Sequence, residues 1–240
     1  MKDSNGNKFG KNVTLYRDVL VRRSIIGDKS ILADDVFMTD CNIGSYVRIE
    51  RRAMLFNVRI GTCCNIGWNS TVRNCNIGNY TGFAWNVTIG GAEHQQHSIS
   101  TRAFAYDKWY DFISEEEEEE IKKNEFFDWY HGGINIGNDV WGGAACQVMR
   151  GVEIADGAIL GAGSVITHNV GPYEIWAGVP GKKIGQRFSD EIIAEFMDLQ
   201  WWKWPREVIK KNISYFQKNV DLSLLKELRE KVQSELTSKK

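Results

Sequence analysis

The sequence predicts an all-β main domain, a parallel β-helix with one protruding loop and a C-terminal helical appendage. Ile-Gly pairs begin at Ile26, Ile43, Ile60 and Ile77, so each follows the previous one by seventeen residues. Within each unit apolar residues recur every six positions. Glycine is abundant, whereas all three prolines come after residue 170. A six-residue period does not match the 3.6-residue repeat of a helix, so each hexad is expected to form one short strand and a corner.

The same repeat predicts the core. The large inward position of each hexad is apolar in all four units, at Ile26, Leu32, Met38, Ile43, Ile49, Leu55, Ile60, Ile66, Val72, Ile77, Phe83 and Ile89. The residue two positions earlier is small or β-branched, at Ser24, Ser30, Val36, Cys41, Val47, Ala53, Val58, Cys64, Ser70, Cys75, Thr81 and Val87. One large and one small inward residue per strand would fill a narrow triangular prism. Three hexads make one coil.

The cysteines fit this core. Cys41, Cys64, Cys75 and Cys146 all fall on the small inward position, so we expect them to be packing residues. Cys41 and Cys75 share a column but lie two coils apart, roughly 10 Å, which is too far for a disulfide. No CxxC pair or Cys/His spacing suits zinc, so no metal is predicted.

The chain divides into three predicted regions. Residues 1–20 are a lead-in, 21–180 the β-helix with a loop excursion at 91–134, and 181–240 the C-terminal helices. After the loop the hexad pattern returns at Ile136, Val148, Ile154, Leu160 and Ile166, with Gly142 where an apolar residue is expected. Ser189 can cap a helix whose apolar face is Ile192, Ile193, Phe196 and Met197, and a later helix carries Leu225, Leu228 and Val232.

Composition restricts the partners. The formal net charge is -1 and the basic residues are not gathered into one block, so nucleic-acid binding is not expected. No run of eighteen apolar residues and no apolar stretch of signal-peptide length occurs, which predicts a cytoplasmic protein with no membrane span.

Several motifs together resemble those of the hexapeptide-repeat acetyltransferases, especially the xenobiotic acetyltransferase branch and related saccharide O-acetyltransferases. Besides the hexads, they are GAEH at 91–94, IGNDVW at 136–141, GAGSVIT at 161–167, GVPGKKI at 178–184, RFSDEII at 187–193 and the Trp201-Trp202-x-Trp204-Pro205 tail. The resemblance covers roughly residues 20–206. It implies a left-handed β-helix and a homotrimer with active sites between subunits. It also implies acetyl-coenzyme A (acetyl-CoA) as co-substrate, with its thiol near a histidine at the base of the loop.

His94 is the predicted catalytic residue. Transfer of an acetyl group to a hydroxyl needs a base for the alcohol proton as its oxygen attacks the thioester directly, and imidazole titrates near neutrality. The GAEH setting of His94 resembles the catalytic motif of the family. His97 is interpreted as an acceptor contact or a solvated side chain, and His131 and His168 as structural residues.

By the same resemblance, Trp141, Gly142 and Gly143 are candidates to lie near the thiol or to donate N–H groups to the oxyanion. The family has Trp-Ile-Gly here, so Gly142 would either widen the thiol channel or leave a small packing defect.

Further candidates would hold the two substrates. Ala162, Gly163 and Ser164 are predicted to contact the cofactor, and Lys182 and Lys183 to meet its phosphates, unless they form a solvated basic turn. Acceptor contacts are predicted for Trp85, His97, Tyr106 and Trp109, since aromatic faces hold sugar rings or flat antibiotics. The loop aromatics could equally pack on a neighbouring subunit; they include Phe104, Tyr110, Phe126, Phe127, Trp129 and Tyr130. Ser114 and the six glutamates after it predict a capped acidic helix, either solvated or binding a cationic acceptor.

Three functions remain open at this point. The first is an O-acetyltransferase acting on a saccharide or a cell-surface glycan precursor. The second keeps the chemistry but takes a streptogramin or chloramphenicol-type antibiotic. The third is a non-catalytic β-helix scaffold.

Overall fold

The protein is a left-handed parallel β-helix of about nine turns with C-terminal helices, which confirms the predicted fold class. The structure, a computed structural model, describes residues 5–94, 96–123 and 133–237. Four loop residues singled out above, Phe126, Phe127, Trp129 and Tyr130, lie outside the described residues, as does His131.

Short strands make up the prism. They are β1 (Lys8–Phe9), β2 (Thr14–Leu15), β3 (Leu20–Arg22), β4 (Ile25–Ile26), β5 (Ile31–Leu32), β6 (Phe37–Thr39), β7 (Asn42–Ile43), β8 (Arg48–Ile49), β9 (Met54–Ile60), β10 (Asn65–Ile66), β11 (Thr71–Ile77), β12 (Gly82–Phe83), β13 (Thr88–Ile89), β14 (Ile134–Ile136), β15 (Trp141–Gly142), β16 (Gln147–Val148), β17 (Glu153–Ile154), β18 (Ile159–Leu160), β19 (Val165–Ile166), β20 (Glu174–Ala177) and β21 (Lys182–Gln186).

Helices occur in the loop and after the prism. They are α1 (Glu115–Lys123), α2 (Asp190–Leu199), α3 (Arg206–Lys211) and α4 (Leu222–Thr237), with 3-10 turns at Ala103–Ala105, Lys108–Tyr110, Trp201–Lys203 and Ile213–Gln217. Within the described ranges, no helix combines the length and the apolar character that crossing a membrane requires.

The strands stack into three faces. One face is a parallel stack in the order β2-β5-β8-β10-β12-β15-β18-β20, to which β21 adds an antiparallel edge. The other two faces form one twelve-stranded sheet, because β9 pairs with both β6 and β7 of the coil before it, and β11 pairs with both β13 and β14 of the coil after it. Register follows the repeat, so Ile31 pairs with Arg48 and Arg48 with Asn65.

The predicted core is confirmed at every position. The twelve large inward residues are at most 5% exposed, and the twelve small ones at most 3%. Cys146 is also buried. Burial raises the pKa of the Cys41 thiol to about 11 and that of Cys64 to about 12, so both are protonated and unreactive at neutral pH. All five cysteines are free thiols.

The Ile-Gly signal has a backbone cause at the corners. A Cβ on Gly27 would lie 2.5 Å from the carbonyl carbon of Gly44 in the next coil, so a side chain is excluded. The side chain of the residue after the glycine accepts a hydrogen bond from a backbone N–H of the preceding coil. Lys11 N, for example, donates to Asp28 Oδ1 at 2.7 Å. These corners therefore satisfy backbone donors that no strand pairs.

Strand pairing extends beyond the boundaries set from the sequence. Within the 1–20 lead-in, β1 pairs with β4 and β2 with β5, in the register of the later coils. At the other boundary, β21 lies in the 181–240 region yet pairs with β20. The prism therefore begins near residue 8 and ends in a hairpin.

The C-terminal helices cover the last coil. Tyr173 is fully buried and stacks on Phe196 of α2, with ring centroids 5.1 Å apart. Ser189 occupies the N-cap position of α2, as predicted, although its hydroxyl makes no capping hydrogen bond. Arg229 of α4 forms ion pairs with Glu195 and Asp198, which hold α4 against α2.

Candidate active site

His94 lies on the exposed first segment of the loop, five residues after β13. Its Nδ1 atom is 2.9 Å from the carbonyl oxygen of Thr101. A carbonyl oxygen can only accept, so Nδ1 must carry the proton of this hydrogen bond. Nε2 of the neutral ring is then left with its lone pair, which is the form a general base requires. The sequence offered no signal for Thr101, because its backbone atom acts here and not its side chain.

An ion pair ties the loop base to the prism. Arg150 Nη2 lies 2.7 Å from Glu93 Oε2, and the Arg150 side chain is only 7% exposed. Arg150 follows β16, in the coil after the loop, whereas Glu93 directly precedes His94. This pair was not singled out from the sequence, since the two residues are 57 positions apart and neither stands out by type.

Two more histidines, His97 and His168, lie within the described residues. His97 is exposed on the loop. His168 is exposed at a corner, with its Nδ1 2.9 Å from Thr167 Oγ1. Across the described part of the chain, no three His, Cys, Asp or Glu side chains converge as metal ligands would.

Gly142 faces the core. Its lack of a side chain produces neither of the two predicted results, a wider thiol channel or a packing defect. It pairs with Phe83, whose ring is fully buried. A Cβ on Gly142 would lie 2.5 Å from Cε1 of Phe83. The Phe83 ring therefore fills the space, so the glycine creates neither a wider channel nor a defect.

The backbone donors on either side of Gly142 are already engaged. The N–H of Trp141 donates to Ala158 O at 3.0 Å, and the N–H of Gly143 donates to Leu160 O at 2.8 Å. Neither group is free to bind an oxyanion in this arrangement. The Trp141 side chain points outward and is 48% exposed, beside Gly82.

A shallow groove of about 240 Å³ runs beside Trp141, lined also by Asn65, Gly82, Ile159 and Arg187. Asp139 contributes a carboxylate that lies 2.9 Å from Nη1 of Arg187. Burial raises the pKa of Asp139 despite this partner, because removal of water disfavours the charged form.

The GAGS motif forms an exposed corner. Ala162 and Gly163 face solvent, whereas Ser164 is buried and donates its hydroxyl to Gly161 O at 2.6 Å. Ser164 is thus a core residue, and only its backbone could meet a ligand. The preceding coil places Ala144 at the same corner, since its carbonyl accepts from the N–H of Gly163 at 2.8 Å.

The two predicted phosphate-binding lysines are adjacent on β21, the second strand of the β20–β21 hairpin. Lys183 forms an ion pair with Glu174, 2.8 Å between Nζ and Oε1. Lys182 is the adjacent strand residue, and successive side chains of a strand point to opposite faces. Both are exposed, but only Lys183 is held by this carboxylate.

Besides His97, two of the predicted acceptor contacts lie on the loop. Trp109 is 81% exposed, with its ring centroid 5.5 Å from that of Tyr110. Tyr106 is half-buried. The acidic helix α1 has the predicted cap, because Ser114 Oγ accepts from Glu117 N and Glu117 Oε2 accepts from Ser114 N.

Within one chain, His94 and the predicted cofactor contacts lie at different corners of the prism. Trp85, Ala144 and Ala162 occupy the corner that precedes β13, β16 and β19, whereas His94 leaves the prism beyond the far end of β13. One face of the prism therefore separates the histidine from the corner that carries the predicted cofactor contacts.

Comparison with known proteins gives sequence relatives and a fold neighbour, although no family model matches the chain. A chloramphenicol acetyltransferase of Morganella morganii is 48% identical over 79 residues, covering 33% of this chain and 38% of the relative. Another, from Agrobacterium fabrum, is 36% identical over 151 residues, covering 63% of this chain and 62% of the relative. A galactoside O-acetyltransferase of Escherichia coli is 40% identical over 65 residues, covering 27% and 31%. The chain thus matches less than two thirds of the length of each of these relatives.

Among solved structures, a mutant of AntD is similar in fold. AntD is an N-acyltransferase from Bacillus cereus, solved with dTDP-4-amino-4,6-dideoxyglucose and coenzyme A. The match has a TM-score of 0.52 at 17% identity and covers 80% of this chain and 91% of that one. At this identity the likeness concerns the fold alone.

Proposed function

We propose that this chain is an acetyl-CoA-dependent O-acetyltransferase. The premise is that the chain is a relative of the hexapeptide-repeat acetyltransferases, as its motifs predicted and its relatives confirm. The observation that carries the proposal is the contact of His94 Nδ1 with Thr101 O at 2.9 Å on an exposed ring, because a neutral ring that donates from Nδ1 has its lone pair on Nε2. A scaffold would have no need for a histidine held in one tautomer.

The reaction balances with His94 as the only acid-base group. Nε2 takes the proton of the acceptor hydroxyl while its oxygen attacks the thioester carbonyl carbon. The new C–O bond forms, the C–S bond breaks, and the imidazolium returns its proton to the departing thiolate. The products are an acetyl ester and free coenzyme A. No metal enters this scheme.

The donor is proposed to lie along the corner of Ala162 and Gly163, with its thioester end directed toward Ala144. These residues are small and at least partly exposed, so a pantetheine chain can approach the backbone closely. Lys182 is the better candidate for a phosphate, because Lys183 is already paired with Glu174. We propose that the exposed Trp141 side chain shapes the region near the thiol, whereas Gly142 and Gly143 are buried and support it from the core side.

The acceptor is proposed to be a saccharide hydroxyl, as in a glycan or its precursor. The galactoside O-acetyltransferase relative supports this class. So do the exposed aromatic rings of Trp85 and Trp109, since sugar rings stack on such faces. Tyr106 and His97 are proposed as further contacts on the loop.

A second candidate is an antibiotic hydroxyl. The Morganella and Agrobacterium relatives are both chloramphenicol acetyltransferases, and their identities are comparable with that of the galactoside enzyme. The chemistry at His94 would be the same, so only the acceptor surface distinguishes the two candidates.

The active unit is proposed to be a homotrimer, with sites between subunits. Support comes from the separation of His94 and Ala162 on different corners, which a neighbouring copy could bring together. We propose a cytoplasmic location, where acetyl-CoA is made.

Thiol release from acetyl-CoA, measured against parallel panels of saccharides and antibiotics, tests the proposal. His94→Ala should keep the fold and cofactor binding but lower turnover by roughly 10² to 10⁴, the usual scale for a general base. His168→Ala, which changes an exposed histidine at a corner of the prism, is the matched control and should retain most activity. Near-normal turnover by His94→Ala would refute the assignment of the base.

A further inference from the structure

Two tryptophans stack on the outside of the prism. Trp68 and Trp85 occupy the same corner position in adjacent coils, since Trp68 O accepts from the N–H of Asn86 at 2.8 Å. Their ring centroids are 5.8 Å apart and their planes differ by 28°. Each side chain is 50% exposed, so the pair presents a large flat apolar surface to solvent.

This stack is not required by the fold. The same column of corner positions carries Arg17, Asp34 and Arg51 in the earlier coils and Ala144 in the later one, as the backbone ladder shows. Charged, aromatic and small residues are thus all compatible with the corner. Exposed indoles gain little for stability, which suggests a binding role for them.

The stack ends beside an open position. Ala145 N donates to Trp85 O at 2.9 Å, which places Ala144 directly after Trp85 in the column. One face of the Trp85 ring is covered by Trp68, and the other lies on the side of Ala144, whose single methyl group leaves the place of a third ring free. A ligand with a flat apolar face can take that place.

Amide groups border the same surface. Asn69 and Asn86 follow the two tryptophans, and Asn69 Nδ2 donates to Asn86 Oδ1 at 3.2 Å. Asparagine side chains both donate and accept, so they can pair with hydroxyl groups. A flat apolar face edged by hydroxyls describes one side of a pyranose ring.

We propose that the Trp68–Trp85 stack is the platform that binds a sugar ring of the acceptor. This inference rests on the proposed function, because the platform adjoins the Ala144 corner assigned to the donor. Along that corner the order is Trp85, Ala144 and Ala162, and Lys182 pairs with Ala177 of β20, the strand that stacks on β18. If Lys182 holds the phosphates of acetyl-CoA, the adenosine end of that molecule lies far from Trp85 and its thioester lies near Trp85. The acceptor must meet the thioester, so the platform is placed to bind the acceptor.

Glycoside binding gives a test that does not depend on turnover. Saturation-transfer NMR with a panel of methyl pyranosides, methyl β-D-galactopyranoside among them, should show contact with the wild-type protein and with His94→Ala. Trp85→Ala should weaken binding about tenfold, equivalent to about 1.4 kcal/mol. Trp85→Phe should recover most of it, because a flat ring is retained. Tyr16→Ala removes another exposed aromatic at the same corner, several coils away, and should have no effect.

The outcomes separate this inference from the function on which it rests. A Trp85→Ala protein that binds glycosides normally, or a wild-type protein that binds none of the panel, would overturn the platform. If the KM of Trp85→Ala for acetyl-CoA rose by as much as its glycoside binding weakened, the stack would be assigned to the donor. If Trp85→Ala changed the oligomeric state, the stack would be assigned to contact with a second copy of the chain. Both also overturn it. Trp85-dependent glycoside binding without acetyl transfer to any saccharide would support the platform while the proposed function fails.

Discussion

Around His94, separate contacts set the proton and the position of the ring. The Thr101 carbonyl selects the tautomer, whereas the Glu93–Arg150 pair holds the residue next to His94 against the prism. Arg150 is nearly buried, so its ion pair is screened less by water than an exposed pair would be. We therefore interpret Arg150 as a positioning residue that acts through His94.

Arg150→Ala should lower kcat about tenfold and change the KM for acetyl-CoA little, because a displaced base affects the chemical step more than donor binding. Steady-state kinetics of four proteins check this: wild type, Arg150→Ala, His94→Ala and the double variant. If Arg150 acts through His94, the double variant should be no slower than His94→Ala alone. Additive losses would instead indicate a general structural role.

At the level of strands, β12 and β15 form a complementary pair. Phe83 contributes a large side chain and Gly142 contributes none, so together they fill one layer of the core. Without Gly142, the ring of Phe83 would not fit. The hairpin of β20 and β21 shows a comparable effect at the surface, since it places Lys183 beside Glu174 and Lys182 on the other side.

Gly142→Ala should destabilise the protein by about 1–3 kcal/mol, the usual cost of overpacking a tight core. Chemical denaturation measures the change in the free energy of unfolding. Phe83→Leu, made in the Gly142→Ala background, should restore part of the loss because it frees the space that the new methyl group needs. Gly185→Ala is a matched control, since a Cβ there meets nothing within 4 Å. Equal losses from the two glycine changes would contradict this account.

On the scale of the whole molecule, the prism displays its functional residues on different corners. His94 follows the far end of β13, and Ala162 lies at the corner before β19. A rigid column cannot close on itself to bring these corners together. Assembly of several copies is the simple route to one site, as proposed above.

Subunit mixing tests this directly. His94→Ala lacks the base, and Ala162→Trp should block the donor corner, so each is expected to be inactive alone. Equal amounts unfolded and refolded together should regain about a quarter of wild-type activity, because random trimers with sites between subunits contain that share of intact sites. Refolding each variant separately is the control. Mixed trimers with no recovered activity would place the site within a single chain.

Much of the architecture followed from the sequence alone. The six-residue period assigned the inward residues of the first four coils and the cysteines among them, because inward positions in stacked short strands repeat at a fixed spacing. The motifs also identified His94 as the candidate base, although its tautomer depends on a backbone atom that no motif encodes.

Only the tertiary structure decided which residues become neighbours across coils. The loop makes the step between β11 and β14 59 residues, as in the hydrogen bond from Asn76 to Asn135, in place of seventeen. Periodicity is lost over such an insertion, so the Glu93–Arg150 and Phe83–Gly142 contacts could not be predicted. The Trp68–Trp85 pair obeys the repeat, yet whether two outward rings stack depends on their side-chain orientations. The sequence therefore determined the coil and its core, whereas the stacking of coils determined the contacts that shape the candidate site.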